Sequence, residues 1–127
     1  MSQDEQFKQG LQMRKQVMGE AFVDKAFANV DAFTAPLQAF VTRSAWGTSW
    51  CRDGLALKMR SLITLSMLTA LGRSTEIKGH VRGAINNGAT LVEIQEVLLH
   101  AAIYCGMPLA IDAFRSAHEV LKDMGKV

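Results

Sequence analysis

The chain has 127 residues, about half of them apolar and a fifth charged, with a formal net charge of +2. That length suits one domain, residues 1–127, with a core of its own, and the composition excludes a disordered chain. The charge is too small, and too evenly interspersed with acids, for a nucleic-acid or membrane surface. No apolar run reaches the roughly eighteen residues of a membrane span, and the opening MSQDEQFKQG is polar where a secretion signal needs an apolar stretch. The expected location is the cytoplasm.

Every periodic segment is helical, so the expected fold class is all-α. A first amphipathic helix runs from about Gln3 to Met18 and stops at Gly19, and a second runs from Val23 to Asp31. Thr34 is placed to cap a third, with Pro36 in its first turn and Leu37, Phe40 and Val41 leading to Ala45. The segment WGTSWCRDG then reads as a loop. From Leu55 to Leu71 the chain is apolar almost all round, the pattern of a central buried helix interrupted by Arg60. Gly72 ends it, and Ser74 can cap a helix that closes at Asn86-Asn87-Gly88. Thr90 and Glu93 form a T-x-x-E capping box for the next, with Leu91, Ile94, Val97, Leu98, Ala101 and Ala102 facing inward. After Gly106 and Pro108 a last helix, Leu109 to Met124, carries Ile111, Phe114, Ala117, Val120 and Leu121. Seven methionines and several faces too apolar for an isolated chain predict a homo-oligomer.

Chemistry is concentrated in RSTEIKGHVRGAINNGATLVEIQEVLLH, residues 73–100. At 3.6 residues per turn Glu76, His80, Gly83 and Asn87 form one row beside the apolar stripe of Ile77, Val81, Ala84 and Ile85. Such a margin can line a cleft, or a histidine there can be a hydrogen-bonded core side chain. Cys51 and Cys105 lie in no C-x-x-C or metal-ligand spacing, and His80, His100 and His118 form neither HxH nor HExxH, so no metal is expected. His100 and His118 read as surface positions.

Several blocks resemble the carboxymuconolactone decarboxylase family over nearly the whole length. They are VMGEAFVDKAFAN, WGTSW with Arg52, KMRSLITLSMLTALGR, HVRGAINNGAT with the following EI, and AIYCGMP. The resemblance implies a compact multi-helix bundle like that of alkyl hydroperoxidase D, assembled as a trimer or hexamer. The thiol peroxidases and reductases of that superfamily use a C-x-x-C followed after three residues by histidine. With His80 on that histidine, the cysteine positions fall on Arg73 and Glu76. A peroxidase needs a thiolate, so the resemblance points to the decarboxylases.

The implied reaction is loss of carbon dioxide from 4-carboxymuconolactone, a dicarboxylate lactone, to give the enol-lactone of 3-oxoadipate in aromatic catabolism, with no cofactor. Negative charge develops on the lactone carbonyl oxygen and a ring carbon must gain a proton. His80 is the candidate proton donor. Glu76, one turn earlier, can orient the ring, or be an ordinary i, i+4 partner on the helix surface. Arg60 is the candidate clamp for the carboxylate that stays, against a buried ion pair with Glu76 or Asp112. Arg52 and Arg73 are weaker candidates of the same kind. Trp46 and Trp50 either wall the substrate site or belong to the core, Tyr104 aims its hydroxyl at the site or at a backbone carbonyl, and Asn87 closes the polar row. Two rival readings are a thiol-dependent peroxidase or reductase, which needs a reactive Cys51 or Cys105, and a non-enzymatic helical adaptor, which would not need His80.

Overall fold

The computed structural model describes residues 2–127, and the elements among them are helical. The chain forms two compact units, residues 1–56 and 57–127.

The first unit contains α1 (Gln3–Met18), α2 (Glu20–Ala28), α3 (Ala35–Phe40) and a π-helix, Val41–Trp50. Ser2 caps α1, its hydroxyl accepting from the Glu5 backbone N–H at 3.1 Å. The expected third helix therefore does not run into a loop: the chain continues as a widened helix through Trp50. Thr34 does not cap α3. Its hydroxyl accepts from the Asp31 backbone N–H while the Asp31 carboxylate accepts from the Phe33 and Thr34 backbones, a local turn that competes with capping.

Two glycines explain how α1 lies against the π-helix. A Cβ on Gly10 would stand 2.0 Å from the Thr42 carbonyl oxygen and 2.7 Å from the Gly47 nitrogen, and one on Gly47 would stand 2.4 Å from the Gln6 carbonyl oxygen. The two backbones touch where side chains are missing. Arg14 is buried beside them, donating to Gln38 Oε1 at 2.8 Å and Thr42 Oγ1 at 3.3 Å, with its guanidinium over the Phe27 ring. Burial lowers the pKa of this arginine.

The second unit contains α4 (Leu57–Leu71), α5 (Ser74–Asn86), α6 (Leu91–Cys105) and α7 (Met107–Asp123). Helix α5 packs on α4 and α7, and α6 packs on the same two, closing a four-membered bundle. Its core holds Leu65 of α4, Ile77, Val81 and Ala84 of α5, Ile94 and Leu98 of α6, and Ala113, Ala117, Val120 and Leu121 of α7. Helix α4 is not the central buried helix its composition suggests. It turns Leu65 inward between the small Ser61 and Thr69 and leaves Met59, Met67 and Leu71 exposed. An all-apolar helix has no preferred inward face, so its neighbours choose one, and here they choose the side that permits close approach.

The Thr90–Glu93 capping box forms as expected, with both reciprocal bonds, 2.9 and 3.0 Å. Ser74 does not cap α5: the N-cap is Arg73, and the Ser74 hydroxyl donates to the Asp112 carboxylate of α7, tying the two helices together. Helix α7 begins two residues earlier than expected because Pro108 fits its first turn. Its buried stripe is Ala110, Ala113, Ser116, Ala117, Val120 and Leu121, whereas Ile111 is exposed.

Candidate active site

Helix α5 is built to present one titratable side chain at the edge of the core. Ile77, Val81 and Ala84 anchor its inner face, so His80, one position before Val81, falls on the border and is drawn largely out of water. Its Nδ1 is shielded from solvent, as is Nε of Arg60. Burial pushes the His80 imidazolium down from 6.5 to about 4, against the field of Glu76, which raises it. At neutral pH the ring is therefore uncharged.

This has a consequence for folding. An unfolded chain binds the His80 proton near 6.5 and the folded one near 4, so in that window the unfolded state holds more protons and stability falls as pH drops. The loss reaches about 3 kcal/mol below pH 4. Urea midpoints measured from pH 7 to pH 4.5 should decline, and His80→Gln should remove this part of the slope.

Glu76 lies one turn before His80 and is half-buried. Arg73 holds it with two bonds to the same oxygen, Nε to Oε1 at 3.0 Å and the terminal nitrogen to Oε1 at 2.7 Å. Asn87, at the C-cap of α5, donates through Nδ2 to the Ser61 hydroxyl at 2.9 Å and to the Leu57 carbonyl at 3.3 Å. These bonds fasten the end of α5 beside the first turn of α4, where Arg60 stands half-buried. His80 is two turns back along α5 from Asn87, roughly 10 Å at 1.5 Å per residue. The structure thus brings Glu76 and His80 together on one helix and Asn87 and Arg60 to one end of the α4–α5 pair.

Other sequence candidates lie elsewhere. Tyr104, on α6, is 79% exposed with its ring 5.0 Å from that of His100. Both line a groove of about 1080 Å³ between α4 and α6, with Met59, Ile63, Met67 and Ile103, and neither His80 nor Glu76 lines it. Trp46 and Trp50 are in the first unit, buried and stacked at 4.7 Å between ring centroids. The Cys51 thiol donates to the Gln9 carbonyl, and burial pushes its pKa up, which disfavours the thiolate a peroxidase needs. Arg73, expected only as a weaker clamp candidate, is instead the partner of Glu76, a pairing that the i, i+3 spacing across a helix start could have signalled. Arg14 carried no signal, because a lone arginine on an amphipathic helix reads as solvated.

No helix among the described residues is long and apolar enough to cross a membrane.

A sequence model of the carboxymuconolactone decarboxylase family matches residues 35–119. A 4-carboxymuconolactone decarboxylase from Acinetobacter baylyi is 42% identical over 125 residues, covering 98% of this chain and 93% of its own. A nitrosuccinic acid decarboxylase from Metarhizium robertsii is 45% identical over 118 residues, covering 93% of this chain and 82% of its own. An uncharacterized protein from Methanocaldococcus jannaschii is 35% identical over 66 residues, about half of this chain. Two named decarboxylases matching over most of the length make this chain an enzyme of the carboxy-lyase class. The chain belongs to the carboxymuconolactone decarboxylase family.

Proposed function

We propose that the enzyme removes carbon dioxide from 4-carboxymuconolactone to give the enol-lactone of 3-oxoadipate, a step of protocatechuate breakdown in the β-ketoadipate pathway, without a cofactor and with His80 as proton donor. The observation that carries this reading is the near full-length identity to a relative of that name. The family match spans residues 35–119 and so crosses the boundary at residue 56, which supports one functional domain over residues 1–127.

Cleavage of the bond between ring and carboxylate releases carbon dioxide and leaves the electron pair on the ring. The conjugated double bond passes it to the lactone carbonyl oxygen, and one proton then adds to the ring carbon beside that carbonyl. A neutral imidazole is a poor acid, and His80 is neutral in the free protein. The dianionic substrate changes this. An opposite charge within about 4–6 Å favours the charged form by roughly one to three pKa units, so the substrate draws a proton onto His80 as it binds and loads its own donor. Glu76 adds to the same effect. Arg60 is suited to the carboxylate that stays, because its guanidinium is carried half-buried on α4 near the end of α5 that Asn87 fastens. The departing carboxylate is left in poorly solvated surroundings, which favours its loss as neutral carbon dioxide.

The relative from Metarhizium supports a second reading, a nitro-substituted dicarboxylic acid, in which the nitro group takes the electron pair instead of a lactone carbonyl. Chelator-treated, thiol-blocked protein should be given each compound and carbon dioxide followed. Release from the lactone alone is expected. Release from nitrosuccinic acid alone would replace the substrate, and release from neither would sink the reading.

Self-association as a trimer or hexamer is part of the proposal, with the α4–α6 groove as the contact face. Ile103 at 72% exposed, Met67 at 59% and Tyr104 form an apolar surface that water disfavours. Ile103→Asp should lower the sedimenting mass at micromolar concentration. A wild type that already sediments as a monomer would refute the assembly.

A further inference from the structure

Arg73 is placed by backbone rather than by chance. Gly72 ends α4 at φ +70°, the Arg73 N–H closes that helix on the Leu68 carbonyl at 3.0 Å, and the Arg73 carbonyl opens α5 by accepting from Ile77 at 2.9 Å. Its main chain is therefore fixed from both sides, and the guanidinium is held over the first turn of α5. There it spends two N–H groups on a single oxygen of Glu76, Oε1, and leaves the second oxygen for other contacts. The side chains are 61% and 41% exposed, so it is the pinned backbone of Arg73, more than the strength of the pair, that sets where the two meet.

We propose that Arg73 is a positioning residue for the reaction, fixing through Glu76 both the orientation and the net charge of the acid that His80 meets. The inference rests on the assignment of His80 above. With Arg73 in place part of the carboxylate's field on the imidazole four residues on is offset, and without it that field acts undiminished. The charged groups on the packed helices are placed as follows. On α4, Lys58 pairs with Glu93 at 3.0 Å and Arg60 is half-buried. On α7, Asp112 accepts from Ser74, Glu119 pairs with Lys78 at 2.9 Å, and Arg115, His118, Lys122 and Asp123 are exposed. Arg82 is the remaining charge on α5, two residues past His80 and on another face.

The test is a ring-proton titration of His80 by NMR on the substrate-free full chain, assigned with His80→Gln. Arg73→Gln should move the midpoint upward by about half a pH unit, the size expected for a partly screened unit charge roughly 10 Å away. Arg73→Lys, which keeps charge without the fork, should stay closer to wild type. In turnover, the pH limb governed by His80 should shift by the same amount while KM for the lactone changes less than twofold. An unmoved midpoint in Arg73→Gln would reduce the pair to surface decoration. A KM that rises with kcat and pH profile intact would make Arg73 a substrate clamp and overturn the positioning role. Because the titration needs no substrate, it decides Arg73 even if the lactone is not turned over.

Discussion

His80→Gln is expected to lower kcat on the lactone by about 10²–10⁴-fold, the contribution of a positioned general acid, with a much smaller change in KM. Glutamine keeps the size and a hydrogen-bonding end but cannot carry a proton, so the loss reports on proton delivery. The wild-type pH dependence is the sharper half of the prediction. The ratio kcat/KM follows the free protein, in which the imidazolium pKa is pushed down to about 4 by burial. Above about pH 5 the protonated fraction falls tenfold per unit, so log(kcat/KM) should decline with a slope near −1 through neutrality. The limb of kcat belongs to the complex, where the bound dianion holds the proton, and should lie one to three units higher. Binding of an inert dicarboxylate lactone should accordingly take up a proton fraction that is largest at about pH 5, between the two pKa values, and falls away toward neutrality, measurable by calorimetry in buffers of different ionisation enthalpy. Full turnover by His80→Gln, or a flat kcat/KM between pH 6 and 8, would remove His80 from the proton path.

Gly10→Ala is expected to cost on the order of 3 kcal/mol or more, at the upper end of overpacking effects. The added methyl would stand 2.0 Å from the Thr42 carbonyl oxygen and 3.0 Å from its carbon, and a backbone atom cannot move aside as a side chain can. Either α1 lifts from the π-helix or the π-helix unwinds. Thermal unfolding should show a midpoint lower by roughly 10 °C. Gly54→Ala is the control, since its new methyl would meet nothing within 4 Å. A Gly10→Ala protein as stable as that control would show that the two backbones are not in the contact described.

How far the fold was legible follows from which signals are local. The capping box at Thr90 and Glu93 is closed by residues three apart, and helices α1 and α6 end at glycines with positive φ that nothing distant can replace. Their boundaries were accordingly found almost to the residue. The missed caps involve choice among partners. Thr34 and Ser74 have the right chemistry for caps, yet one is taken by Asp31 and the other by Asp112. The segment from Val41 to Trp50 has turn-like composition, and only the seat that Gly10 and Gly47 provide makes a continuous widened helix out of it.

The site divides the same way. Helical spacing by itself determined that Glu76, His80 and Asn87 share one row, and the motifs around them determined the family. Both are properties of neighbouring residues that tertiary context leaves intact. Tertiary structure decided what each row member does. It drew His80 out of water and so set its charge, it gave Glu76 to Arg73, and it spent the Asn87 amide on fastening α5 to α4. It also turned Tyr104 out to the α4–α6 groove, on another face from His80. Burial and the competition for hydrogen-bond partners depend on which helices pack together, and no spacing along one helix encodes that.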